Sequence, residues 1–217
     1  MTSPRPRAGS KGVPRAVREA EILALACRAF GEAGYVSVSM ADVADAAGIS
    51  KPLIYNYFGS KEGLFGACLR YAGDLIADDI DRTAEAGQVG LARALVTLEG
   101  VFELLEDRRW IWRLFFDATR PPSAELDATV SRYTARLTER GAEGIAEMLA
   151  AAGNADPLDA DALAAVWASV FDTLVVWWLD HPEVSALEMT ERSARLFATI
   201  TLDSQTAQAV LNEAGLS

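Results

Sequence analysis

The chain has 217 residues, 51% of them hydrophobic, a mean hydropathy of +0.12 and a net charge of −11, so it is too apolar for a disordered chain and long enough to bury a substantial core. Ala, Leu and Glu are abundant and β-branched runs scarce, which favours helix, and with no run of about 18 apolar residues no transmembrane helix is expected. Cys27 and Cys68 have no Cys or His at ligand spacing, so no zinc site follows, and both are expected as buried thiols in a reducing cytoplasm.

The opening "MTSPRPRAGSKGVPR" is basic and carries Pro4, Pro6 and Pro14, which oppose helix. No apolar core follows it, so residues 1–14 read as a flexible basic arm and not as a signal peptide. Residues 1–70 hold nine Lys and Arg against six acids, a net +3 that leaves −14 for the remainder, and all three lysines (Lys11, Lys51, Lys61) lie in this first part. Such a split suits a first part that a polyanion can approach and a second that repels it. The alternative is solubility charge on a helical surface.

The first helix spans about 15–32, with Ile22, Leu25, Ala26, Ala29 and Phe30 at helical spacing and Gly34 as its stop. Ser39 and Asp42 form an S-x-x-D capping box for a short helix over about 40–47, which Gly48 ends in a left-handed turn. Ser50 is expected to cap a third helix beginning at Lys51. Two short helices joined through a glycine match a helix-turn-helix, or an ordinary α-hairpin. At about 100° per residue, Ile54 and Phe58 share the core face of the third helix. Pro52, Leu53 and Asn56 point the other way, with Tyr55 and Tyr57 on the shoulders. A merely solvated face would favour Glu, Lys and Gln, and Pro52 is tolerated because it lies in the first turn. Ser60 then caps a long helix from Lys61 to about Glu85, whose N-terminus and lysine can meet a phosphate.

Helices follow over about 91–106, 109–119, 123–152, 158–179 and 185–202, the last capped by Ser185, with a short terminal helix from Ser204 to Ala214. Residues 158–179 are apolar nearly all round, which demands burial on several sides, one facing a pocket and another a second subunit. The helix after it offers Ala194, Phe197, Ala198 and Thr201 on one side, so the pair could build a four-helix interface, or simply a monomer core. All five tryptophans fall at 110, 112, 167, 177 and 178. With Phe116 and Phe171 they supply an aromatic surface for a pocket or for the core. Asp172 interrupts the apolar run and would need a cationic ligand or an arginine such as Arg113. The candidate ligand-binding set is Trp112, Phe116, Trp167, Phe171, Asp172 and Trp178. His181, before Pro182, reads as a helix-end cap, and "DADAL" and "DDID" as caps and solvated faces. No catalytic constellation, metal-ligand set, cofactor motif or phosphate loop is visible.

The stretch "ILALACRAFGEAGYVSVSMADVADAAGISKPLIYNYFGSKEGLF" resembles the N-terminal domain of TetR-family transcriptional regulators. The resemblance implies an all-α protein: a helix-turn-helix DNA-binding domain at 15–65, with the helix from 61 linking to a ligand-binding and dimerisation domain at 66–217. It implies a homodimer through the helices at about 158–179 and 185–202, a pseudo-palindromic DNA operator and an unidentified small-molecule inducer. It also implies a cytoplasmic location, and neither an enzyme nor a cofactor. Carried over by position, Ser39 and Met40 approach a phosphate through their helix N-terminus, while Ser50, Lys51, Pro52, Leu53 and Asn56 face the groove. Tyr55, Tyr57 and Lys61 hold the DNA backbone. Leu53 departs from the pattern, since many relatives have threonine there; it can meet a thymine methyl but cannot bond a phosphate. The alternatives are a helical small-molecule-binding or interaction protein whose helix-turn-helix is only structural and, third, an enzyme with an apolar pocket.

Overall fold

The computed structural model describes residues 14–85 and 90–200. The expected basic arm, apart from Pro14, and the expected terminal helix at 204–214 lie outside them. The described residues form nine helices and no strand: α1 (Arg15–Ala33), α2 (Met40–Ala46), α3 (Lys51–Phe58), α4 (Lys61–Glu85), α5 (Gly90–Glu106), α6 (Trp110–Phe115), α7 (Ala124–Ala151), α8 (Pro157–Leu179) and α9 (Ala186–Ile200). The all-α architecture read from the sequence is therefore the fold.

The helix boundaries have local causes. Ser39 accepts from the Asp42 N–H at 3.2 Å while Asp42 accepts from the Ser39 N–H at 2.9 Å, closing the capping box of α2. The Gly63 N–H donates to Ser60 Oγ at 2.9 Å at the start of α4, and Ser185 and Glu188 bond reciprocally at the start of α9. Gly34 and Gly48 take φ of +79° and +65°, the left-handed region that ends α1 and turns the chain from α2 to α3. Ser50 holds the N-cap position of α3, but its side chain makes no cap bond. Pro52 at the second helical position has no N–H to give it, and the Ser50 carbonyl instead accepts from the Leu53 and Ile54 N–H groups.

Around α4 the other helices pack. Its first turns, through Leu64, Phe65, Cys68 and Leu69, meet α1 and α3, and Ala72, Ile76 and Ile80 continue into the bundle of α5 and α7. Both cysteines are fully buried, and burial, with the Cys27 thiol beside it, pushes the Cys68 thiol well up. α5 packs on α9, α7 on α8, and α6 lies across α1. Each large apolar side chain taken fully out of water contributes roughly 1.5–3 kcal/mol, and Trp178, Phe30, Phe65 and Phe102 are the largest of them.

One expectation needs correction. The helix expected at 109–119 is only Trp110–Phe115, because Asp117 Oδ1 turns the chain by accepting from the Thr119 N–H at 2.8 Å and hydroxyl at 2.7 Å. Phe197 of α9 is buried, its ring centre 5.3 Å from that of Trp167. α8 is long and apolar enough to cross a membrane by length and composition alone. Only 22% of its apolar window is buried within this chain. It is nonetheless a member of the bundle, with Val175 and Trp178 in the core and α7 along its flank.

Two outcomes follow for stability. A Cβ on Gly31 would stand 2.4 Å from the Trp110 carbonyl oxygen, a backbone atom that cannot swing aside. Gly31→Ala should therefore cost about 1–3 kcal/mol, read as a lower urea midpoint. The Ser39 hydroxyl and N–H hold the Asp42 carboxyl below its ordinary range, Arg136 and Arg140 do so for Asp81, and the Ser185 N–H and hydroxyl for Glu188. Because these folded values are lowered, their stabilisation is fully present above the ordinary carboxylate range and is lost as pH falls through the lowered values. Asp42→Asn should flatten the acid limb of stability against pH, measured as urea midpoints between neutral and acid pH.

Candidate nucleic-acid interface and ligand cavity

α3 is anchored by Ile54, which is 0% exposed beneath it, with Phe58 half-buried beside it. Lys51, Pro52 and Asn56 are exposed, Leu53 is half-buried and Tyr55 is 41% exposed. Tyr57 is half-buried, with the Arg15 guanidinium 5.1 Å from its ring centre. Of the residues placed on the outer face by helical spacing, Pro52 and Asn56 are exposed and Leu53 is partly covered, and the two tyrosines flank them unequally. An exposed amide and ammonium on a short helix can hydrogen-bond base edges, and phenol hydroxyls and cations can hold phosphates.

The neighbouring contributions are less uniform. Ser39 and Ser50 are exposed, but Met40 is 4% exposed, so only its backbone N–H is available at the start of α2. Lys61 Nζ lies 3.4 Å from the Val36 carbonyl and 4.3 Å from the centre of the Tyr35 ring, so this cation is held over the loop before α2.

Between α4, α5, α6, α7, α8 and α9 lies a cavity of about 590 Å³. Its wall along α7 runs from Val130 to Met148, about 27 Å at 1.5 Å per residue. Trp112, Phe116, Trp167, Phe171 and Asp172, five of the six residues named from the sequence, line it. Trp178 does not. It is fully buried in the core, 5.2 Å from Phe102, with its Nε1–H donating to the Val184 carbonyl at 2.8 Å and the Arg109 guanidinium 4.3 Å from the ring. Trp112 is 6% exposed and its Nε1–H has no hydrogen-bond partner among the described residues. Arg113 does not reach Asp172; its guanidinium donates to the Leu179 carbonyl at 3.4 Å. Burial pushes the Asp172 carboxyl up. The sequence reading missed Tyr133, whose hydroxyl donates to Asp74 at 2.5 Å, and Arg93 and Arg140 at the cavity wall. A stripe through Val130, Tyr133, Leu137, Gly141 and Ile145 at helical spacing was the available signal.

Trp112 also faces a second, outer groove of about 360 Å³ with Phe30, Gly31 and Gly34 of the head region. From the end of α6, Asp117 Oδ2 accepts from the Tyr35 N–H at 2.6 Å, and Thr119 Oγ1 from the Val36 N–H at 3.3 Å. The cavity wall and the loop leading into α2 are thus separated by one short helix.

The family described as bacterial regulatory proteins, tetR family, matches residues 22–68. The chain is 28% identical over 138 residues to the HTH-type transcriptional activator FasR of Mycolicibacterium smegmatis, covering 62% of this chain and 63% of FasR, under two thirds of that relative's length. It is 30% identical over 171 residues to the HTH-type transcriptional regulator Mb3439c of Mycobacterium bovis, covering 73% of this chain and 90% of that one. A crystal structure of a TetR-like transcriptional regulator from Rhodococcus sp. RHA1 superimposes with a TM-score of 0.61 at 27% identity, over 86% of this chain and 98% of that chain. These relatives are regulators and not enzymes. The chain belongs to the TetR family of bacterial transcriptional regulators.

Proposed function

We propose that the chain is a ligand-responsive repressor that acts in the cytoplasm, binding a pseudo-palindromic DNA operator as a homodimer and leaving it when a small apolar or aromatic inducer fills the cavity. Residues 15–65 are the reading head and residues 66–217 the sensor and dimerisation domain, with α4 joining them. The outer face of α3 carries this reading: Lys51, Pro52 and Asn56 stand exposed above a fully buried Ile54, in the basic part of an acidic chain. Asn56 and Lys51 read base edges. Tyr55, Tyr57, Lys61 and the N-termini at Ser39, Met40 and Ser50 position the backbone, and Leu53 meets a thymine methyl. The cavity, with Trp112, Phe116, Trp167, Phe171 and Asp172 on its wall and an orphan indole N–H on Trp112, supports a ligand with an apolar body and a hydrogen-bond acceptor.

The dimer rests on α8 and α9. Along α8 the exposed positions Ala162, Ala165, Ser169, Thr173 and Val176 recur every three or four residues, with exposed Trp177 beside the last, small at one end and large at the other. On α9, Leu187 and Leu196 are exposed, and the Arg192 guanidinium stands 5.5 Å from the Trp177 ring centre. A second copy laid on this stripe would bury the part of the apolar helix that this chain leaves in water.

The DNA reading is tested by gel-shift titration against duplex from beside the protein's own gene and against a random duplex library; lack of any sequence preference would refute it. Asn56→Ala should cost about 1–3 kcal/mol and relax preference at one base position. Lys61→Ala should weaken all sequences alike and reduce the salt slope by about 1. A promoter-reporter assay sets repression against activation, the activity for which the relative FasR is named. Val176→Asp should weaken dimerisation at least about tenfold, since an unpaired charge would be buried twice per dimer; light scattering behind size exclusion reads this as a shift to monomer, with operator affinity falling alongside.

A further inference from the structure

The charged groups on the cavity wall are unequally compensated. Arg93 is largely buried and its guanidinium donates to Glu147 at 2.8 Å. Arg140 is bound by Asp81 and Glu143, each at 3.0 Å. Asp172 has neither a hydrogen bond nor an ion pair among the described residues, and Arg113, the nearest arginine by sequence logic, is committed to the Leu179 carbonyl. The cavity therefore presents two neutralised cations and one uncompensated anion. Phe171 lies 5.9 Å from Trp112, and Trp112 lies 5.2 Å from Phe116, so three aromatic rings cluster in the wall of the cavity that Asp172 also lines. Faces of such rings attract cations, most strongly where water is excluded. The surrounding field has the same sign, since residues 71–217 carry −14.

We propose that the cavity is selective for a lipophilic cation, an apolar molecule bearing a protonated amine or quaternary centre, held between Asp172 and the Trp112–Phe116–Phe171 rings. This rests on the ligand-cavity reading above and narrows it. An acidic ligand would bring a second anion to Asp172 and find Arg93 and Arg140 already occupied. A neutral ligand would leave the charge of Asp172 unused.

The test uses two ions of nearly the same shape and opposite charge, tetraphenylphosphonium and tetraphenylborate, with the neutral N-phenyl-1-naphthylamine as a third probe. Each is titrated calorimetrically into the full-length protein. Tetraphenylphosphonium should bind about tenfold or more tighter than tetraphenylborate, as an attractive set against a repulsive charge contact at the cavity wall. Asp172→Asn should remove most of that preference. Asp172 is exposed on α8, so the near-isosteric change leaves the core intact, and the comparison of the two ions on the unaltered protein stands without any variant. Equal or tighter binding of tetraphenylborate, or an Asp172→Asn variant that keeps its cation preference, would overturn the proposal. If the neutral probe binds while the two ions are not distinguished, charge selection fails and the ligand cavity stands. If none of the three binds, both readings fall together.

Discussion

A helix of 25 residues is about 37 Å long, and α4 divides that length between two sets of neighbours. Leu64, Phe65, Cys68 and Leu69 are fully buried at the end that meets α1 and α3, while Ala72, Ile76 and Ile80 are buried against the bundle. The helix cannot slide or tilt at one end without disturbing close-packed side chains at the other, because cores of this density do not deform continuously. Gly73 shows how tight the fit is: a Cβ there would stand 2.6 Å from the Tyr133 ring of α7. The position of α3, and hence of Asn56 and Lys51, is set through this single rod and the short α6 lying across α1.

Much of the head was legible because its signals are local. Capping residues, left-handed glycines and an early proline each act within a few residues, so the starts of α2, α4 and α9 and the turn at Gly48 could be read directly. The face of α3 was legible for the same reason, since one buried isoleucine fixes which way an eight-residue helix turns. What was not legible depends on neighbours remote in sequence. Trp112 and Trp178 are chemically alike, yet one lines a cavity and the other fills the core against Phe102; only the path of α5 decides between them. For Phe197 the sequence left interface and core both open, and the nearness of Trp167, thirty residues before it, decides for the core. α6 stops early because Asp117 has side-chain and backbone partners that no helical periodicity encodes, including the Tyr35 N–H, which is 82 residues away.

Charge is arranged with similar economy. Lys51 and Lys61 stand where α3 and α4 begin, and two cations of the head lie on ring faces: Lys61 over Tyr35 and Arg15 over Tyr57. Such contacts orient a long flexible side chain without neutralising it, so the field it projects is retained. In the bundle Arg93, Arg136 and Arg140 are matched with carboxylates, while Arg109 and Arg192 lie over the Trp178 and Trp177 rings. The head too combines both kinds of contact, since Arg28 pairs with Glu32 at 2.8 Å.

The hydrogen bonds accepted by Asp117 and Thr119 after α6 are donated by the backbone N–H groups of Tyr35 and Val36, not by their side chains. Every residue except proline supplies that donor. The junction is thus indifferent to which side chains the loop carries, provided Gly34 keeps the left-handed turn that aims the amides. Sequence change can accumulate in the head while its mechanical link to the bundle is preserved. A head transplanted from a relative would meet this bundle through the same two amides, provided it also brings a glycine to position 31, where a Cβ would stand 2.4 Å from the Trp110 carbonyl oxygen.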